Sequence, residues 1–135
     1  SQARVSIAPS FITLSPGQVA TIMIKIYYVE DLAGVDLWLE YDSDVAEILQ
    51  IQTANFWGLH YTSTWRANRD NRMKINWADM ANPKTGAYLT YARITFRVVG
   101  SPGQETTLHL DVKNLANSDF EEIGRNVYDG VIRIV

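Results

Sequence analysis

The residues of this chain best suited to polar recognition lie in the stretch GVDLWLEYD, Gly34 to Asp42. Read as a strand of period two, Val35, Leu37, Leu39 and Tyr41 share one face, and Asp36, Trp38 and Glu40 share the other. With the apolar set in the core, Trp38 faces out. It forgoes the burial of roughly 150–250 Å², worth a few kcal/mol at about 25 cal/mol per Å². A cover for it is expected, either a partner or a loop such as the aromatic-rich segment from Phe56 to Trp65.

Catalytic constellations are sparse. The chain has two histidines, His60 and His109, and neither belongs to a metal-binding or base motif. No H-E-x-x-H, G-x-S-x-G, Walker A or G-x-G-x-x-G pattern occurs. The run Asp42-Ser43-Asp44 begins like a calcium loop, but Ala46 stands at a ligand position and Glu47 at the turn glycine, so calcium is rejected there. Glu121 and Glu122 are adjacent, and neighbours on a strand point to opposite faces, which separates them for acid–base work on one bond. Acid–base chemistry would need the fold to bring distant carboxylates together, such as Asp36 and Asp79. A binding module is the expected class, not an enzyme.

At 135 residues and 47% apolar side chains, the chain (1–135) suits a single domain with one core and no cross-links. A net charge of −3 gives no footprint for nucleic acid. The absence of cysteine rules out disulfides and thiolate chemistry without fixing the compartment. The most apolar window, VATIMIKIYYV from Val19, is interrupted by Thr21 and Lys25 and is shorter than the roughly 20 residues of a membrane helix, so no membrane insertion is expected. No charged leader precedes Ser1, as expected of a module within a larger protein.

Strand patterns bounded by turn residues recur along the chain, and no long window has a helical period capped at both ends. The strands expected are RVSIAPS, QVATIMIKIYYV, GVDLWLEYD, EILQIQT, RMKINWAD, LTYARITFRVVG, TTLHLDVKNL and VYDGVIRIV. SPGQ occurs at Ser15 and again at Ser101, and each copy predicts a turn. Residues 54–71 are expected to be a long loop or a short hairpin, and DSDVAEIL a single helical turn capped by Asp42 or Ser43. In RMKINWAD the alternation sends Met73, Ile75 and Trp77 inward and Lys74, Asn76 and Ala78 outward; in YARITFRV it sends Arg93, Thr95 and Arg97 outward. An outer face combining Asp36, Trp38, Glu40, Asn76 and Arg93 has the composition of a protein interface.

These segments, taken in order, resemble a cohesin domain over nearly the whole chain. The most specific matches are Leu39, Tyr41, Asp42 and Val45 of an L-x-YD-x-x-V pattern, and Ala116, Asp119, Asp129 and Gly130 near the end. The resemblance implies an all-β, nine-stranded β-sandwich with jelly-roll topology that holds a dockerin, a small helical domain carrying its own calcium. It implies no catalysis, no cofactor on this chain and an extracellular or cell-surface setting. The dockerin would lie on one sheet built from GVDLWLEYD, RMKINWAD, YARITFRV and a short strand near FEEI. By position, Asp36 matches the carboxylate that accepts a hydrogen bond from the dockerin's recognition helix. Asp79 falls near an acidic position, Asn82 near a glycine, and Glu122 at another acidic contact. Gly34 stands where asparagine is common and Asn76 where an apolar contact is common, departures that bear on which dockerin is chosen. Trp38 would be an anchor at the middle of the face.

Two other readings follow from the residues: a carbohydrate-binding module stacking sugars on Trp38, Trp57, Tyr61 or Trp65, and a structural or adhesion domain of the same fold. An exposed sheet or edge strand would also permit a homodimer.

Overall fold

The computed structural model describes residues 2–135. Twelve strands and one short helix form two packed sheets. The strands are β1 (Ala3–Ala8), β2 (Phe11–Leu14), β3 (Val19–Tyr27), β4 (Val29–Glu40), β5 (Ala46–Thr53), β6 (His60–Tyr61), β7 (Arg72–Ala78), β8 (Lys84–Gly86), β9 (Leu89–Val98), β10 (Glu105–Asn117), β11 (Arg125–Tyr128) and β12 (Gly130–Ile134), with α1 (Thr64–Asp70) between β6 and β7. One sheet has the order β11-β1-β3-β9-β5; the other runs β2-β12-β10-β4-β7-β6, with β8 paired to β4. The all-β sandwich is as expected. The twelve strands exceed the eight segments expected from the sequence because β2, β6 and β8 are too short to show a period and VYDGVIRIV divides into two strands at a corner; QVATIMIKIYYV divides at another, its last residue joining GVDLWLEYD in β4.

Those corners carry the chain from one sheet to the other. The apolar run QVATIMIKIYYV reads as one strand, but Tyr28 takes φ of +58°, ending β3 in the five-stranded sheet and starting β4 in the other. Likewise VYDGVIRIV breaks at Asp129, with β11 in one sheet and β12 in the other. Gly130 permits this crossing, since a Cβ there would sit 2.5 Å from Ile7 Cγ2. Both SPGQ turns form as the sequence predicts. Gly17 and Gly103 have φ of +80° and +92°, and the Gln18 and Gln104 side chains accept the Ser15 and Ser101 N–H groups at 2.9 and 2.7 Å.

Between the sheets, Val35, Leu37, Leu39 and Tyr41 pack with Met73, Ile75 and Trp77 and with Ile22, Ile24, Ile94 and Phe96. DSDVAEIL forms the single helical turn expected, capped by Asp42: the Asp42 carbonyl accepts the Val45 and Ala46 N–H groups, each at 3.1 Å, Asp42 Oδ1 accepts the Asp44 N–H at 2.9 Å, and β5 begins at Ala46. Residues 54–71 contain the largest departure. Phe56 is fully buried, and α1 follows two residues of β6. Helical periodicity is invisible there because α1 has seven residues and buries only Ala67.

The helix is tied down by Asn68. Its Oδ1 accepts Tyr41 Oη–H at 2.7 Å and the Ile48 N–H at 2.8 Å, while its Nδ2 donates to the Ile48 carbonyl at 2.9 Å. Thus α1 packs at the edge of β5 and satisfies the backbone N–H and C=O of Ile48 there. Burial pushes the Tyr41 phenol above its ordinary pKa, with Glu47 adding to the effect, which keeps it a neutral donor to Asn68. Asn68→Ala is expected to cost about 2–3 kcal/mol in urea unfolding, because it strands partly buried donors and acceptors. A loss below about 0.5 kcal/mol would show that water replaces these bonds without penalty.

Candidate partner-binding face

On the outer face of the larger sheet, the registers of β7, β4 and β10 align side chains in rows. Arg72, Glu40 and His109 form one row; Lys74, Trp38 and Asp111 the next; Asn76, Asp36 and Asn114 a third; Ala78, Gly34 and Ala116 a fourth. A register shift in β10 between Val112 and Asn114 keeps Asp111 and Asn114 on the same face despite their odd spacing.

The rows differ in chemistry. Trp38 is half-buried, with the Arg72 guanidinium carbon 4.4 Å and Lys74 Nζ 5.6 Å from its ring centroid. Its lateral cover therefore comes from β7 cations. The Phe56–Trp65 segment does not supply it: Phe56 turns into the core and Trp57 is 77% exposed. Asp111 pairs with Lys113 at 2.9 Å. With its amide nitrogen turned towards the acceptors, Asn76 donates to Asp36 Oδ1 at 3.0 Å, which orients that carboxylate and leaves Oδ2 for an incoming donor.

The fourth row is made of small side chains and floors a depression of about 350 Å³. Asp36 and Asn76 line one part of it, and Met80 and Phe120 supply exposed apolar surface. Phe120 is 78% exposed and has φ of +62°. It is held there by Asn117, whose Oδ1 accepts the N–H groups of Asp119 and Glu121, each at 2.9 Å. The backbone of Phe120 thus lies in the left-handed region that non-glycine residues rarely adopt, with its ring exposed at the rim of the depression.

His109 sits at the charged end. Its Nδ1 is 2.8 Å from Asp129 Oδ2 and its Nε2 is 3.7 Å from Glu40 Oε1, while Asp129 Oδ1 accepts the Leu110 N–H at 2.9 Å. The hydrogen bond with Asp129 raises the His109 pKa; burial opposes it, and the charges of Asp129, Glu40 and Asp111 add to the rise. A raised folded-state pKa stabilises the fold below the unfolded value near 6.5, and that contribution disappears as pH rises through the folded value. The imidazole is 51% exposed, so solvent screening keeps the gain small. NMR titration is expected to place His109 above 6.5 and to bring it down in Asp129→Asn, which retains an acceptor for Leu110. An unmoved midpoint would contradict the pairing.

The sequence-predicted residues divide accordingly. Asp36, Trp38, Glu40 and Asn76 share the face as expected. Asp79 and Asn82 lie just beyond β7, where Asp79 N–H donates to the Ala33 carbonyl at 2.8 Å and Asp79 Oδ1 accepts the Asn82 N–H at 3.1 Å. Glu122 bridges to Ala116 on the far side of β10 and is exposed, with its carboxylate paired to Arg125.

Arg93 does not belong to this group. It lies on β9, opposite Met23 of β3 and Gln52 of β5, on the outer face of the other sheet. Alternation tells inside from outside but not which sheet a strand joins, and YARITFRV, which the resemblance puts in the dockerin-facing sheet, pairs instead with β3 and β5. The strands flanking β4 are β7 and β10, and the arginine beside Trp38 is Arg72. Arg72, Asp111, His109 and Phe120 were missed. The first three alternate with core residues in RMKI and LHLDV, while Phe120 stood out only as an aromatic within a turn-rich run. Of the rings in the sugar-stacking alternative, Trp57, Tyr61 and Trp65 are exposed and Trp38 is half-buried; Trp65 is flanked by the Arg66 and Arg69 guanidiniums, and Trp38 by Arg72 and Lys74.

No protein-family model and no curated protein matches the chain. Solved structures do. A non-cellulosomal cohesin from the archaeon Archaeoglobus fulgidus superposes with a TM-score of 0.80 at 18% identity, covering 100% of this chain and 92% of that one. The seventh type I cohesin of a scaffoldin from Pseudobacteroides cellulosolvens gives 0.81 at 16% identity, covering 99% and 92%. A chain of a type I cohesin–dockerin complex from Clostridium thermocellum gives 0.82 at 13% identity, covering 100% of both. At end-to-end coverage and these scores, the chain has the cohesin fold.

Proposed function

We propose that this domain is a non-catalytic interaction module that binds a calcium-loaded dockerin through the outer face of β10, β4, β7 and β6. The observation carrying this reading is the Lys74–Trp38–Asp111 row between a charged row and the Asn76–Asp36–Asn114 row. It sets an aromatic anchor among oriented polar groups, which is the composition of an interface centre. Structural relatives that are cohesin–dockerin complexes support it. The depression floored by Gly34, Ala78 and Ala116 accepts an apolar side chain of the partner helix, with Phe120 at its rim.

In this reading, calcium belongs to the dockerin, and the domain works outside the cell or at its surface within a larger assembly. Among the described residues no helix is long and apolar enough to cross a membrane. The test is NMR titration of the labelled domain with calcium-loaded dockerins. Saturable shifts at Asp36, Trp38, Lys74 and Asp111, absent when calcium is chelated, are expected. Shifts confined to β9 and β5 would overturn the proposed face.

A further inference from the structure

The opposite sheet carries a second recognition surface that owes nothing to the dockerin reading. On its outer face, the registers of β11, β1 and β3 place Asn126, Arg4 and Tyr27 in one row and Tyr128, Ser6 and Lys25 in the next. Between these strands lies a cleft of about 350 Å³, lined by Arg4, Ser6, Ser10, Tyr27 and Tyr128 among others. Its size falls within the roughly 300–1,000 Å³ range of small-ligand sites.

The electrostatics of the cleft are one-sided. Arg4 Cζ lies 4.2 Å from the Tyr27 ring centroid and 5.9 Å from that of Tyr128. The guanidinium sits over the Tyr27 ring and makes no side-chain hydrogen bond among the described residues, so its N–H donors are available for a planar, bidentate acceptor. Arg4 has no carboxylate partner among the described residues, and no acidic side chain lines the cleft. The nearest acid in sequence, Asp129, is turned away and held by Leu110 N–H and His109. Lys25, opposite Ser6 in the register, does not line the cleft. It is 96% buried, bonded to Thr90 Oγ1 and 4.2 Å from the Tyr88 ring centroid, again without a carboxylate.

The aromatic surface continues past the cleft. Tyr27 and Tyr88 contact edge to face at 5.2 Å, Tyr28 lies 6.1 Å from Tyr27, and Tyr28, Tyr88 and Tyr128 are all exposed. A single free guanidinium calls for one carboxylate, the flanking rings for a flat apolar face, and the Ser6 and Ser10 hydroxyls for further hydroxyls. A tyrosine surface extending beyond the cleft suits a ligand that repeats. We propose that this cleft binds a uronate residue of an acidic polysaccharide, with the carboxylate on Arg4 and the pyranose ring against Tyr128.

The test is NMR titration of the labelled domain with trigalacturonate, with cellotriose and an Asp-Asp-Asp peptide as comparisons. Trigalacturonate should give saturable shifts at Arg4, Tyr27 and Tyr128, and these should persist when a dockerin occupies the other face. Arg4→Gln and Tyr128→Ala should each weaken binding at least about tenfold, with the rest of the amide spectrum unchanged. No shifts at about 10 mM ligand, equal binding of cellotriose or the peptide, or indifference to Arg4→Gln would overturn the proposal.

Discussion

Phe56→Ala is expected to lower the unfolding free energy by about 3–5 kcal/mol, one of the largest effects of any single substitution in this chain. The ring is fully buried and meets Trp77 and Tyr91 edge to face, with both centroids at 5.0 Å. Truncation removes that packing and leaves a cavity whose walls are held by strands, so little collapse is possible. Tyr91 is itself fixed by its Oη–H donating to the Ile75 carbonyl at 2.9 Å. Ile75 belongs to the strand that presents Lys74 and Asn76, so the loss is transmitted to the partner face. Against a typical stability of about 5–15 kcal/mol, the melting temperature should fall on the order of 10–20 °C. Phe56→Leu should recover most of it. A loss under about 1 kcal/mol would mean that this segment is not seated in the core.

Trp38→Ala is expected to weaken dockerin binding by at least about 2 kcal/mol, or about 30-fold, while the fold itself loses about 1–2 kcal/mol. The indole is only half-buried in the free domain, so truncation opens no enclosed cavity. Its stacking with Arg72 and Lys74 contributes about 0.5–1 kcal/mol per cation at an exposed site. In a complex the same ring becomes fully desolvated at the centre of the face, where interface energy concentrates. Trp38→Phe should retain part of the affinity. Equal affinities for wild type and Trp38→Ala would move the anchor elsewhere, with Phe120 the next aromatic on that face.

What was readable in the sequence was whatever depends on short-range periodicity. The inward and outward sets of β4 and β7, and both SPGQ turns, follow from period-two alternation and from Pro-Gly dihedrals. What failed depended on long-range pairing. Arg93 alternates outward in either sheet, and only hydrogen bonding of β9 to β3 and β5 decides which. The corner at Tyr28 is a positive φ on a residue that gives no such signal, inside an uninterrupted apolar run. The helix α1 owes its place to tertiary bonds through Asn68 and to burial of Ala67, neither of which leaves a periodic trace over seven residues. The partner face was legible along β4 and half legible along β7. Its β10 side was not, because the shift after Val112 breaks the alternation that would have grouped Asp111 with Asn114.

Calorimetric titration with a panel of calcium-loaded dockerins, comparing wild type with Asp36→Ala, Trp38→Ala and Arg93→Ala, is the most direct test of the partner face. Binding should weaken by at least about 1.4 kcal/mol, roughly tenfold, in the first two variants. Arg93→Ala, on the opposite side of the sandwich, should bind as wild type does. Weakening by Arg93→Ala with Trp38→Ala unaffected would place the interface on the other sheet, and no calcium-dependent binding by the wild-type domain to any dockerin would contradict the proposed function.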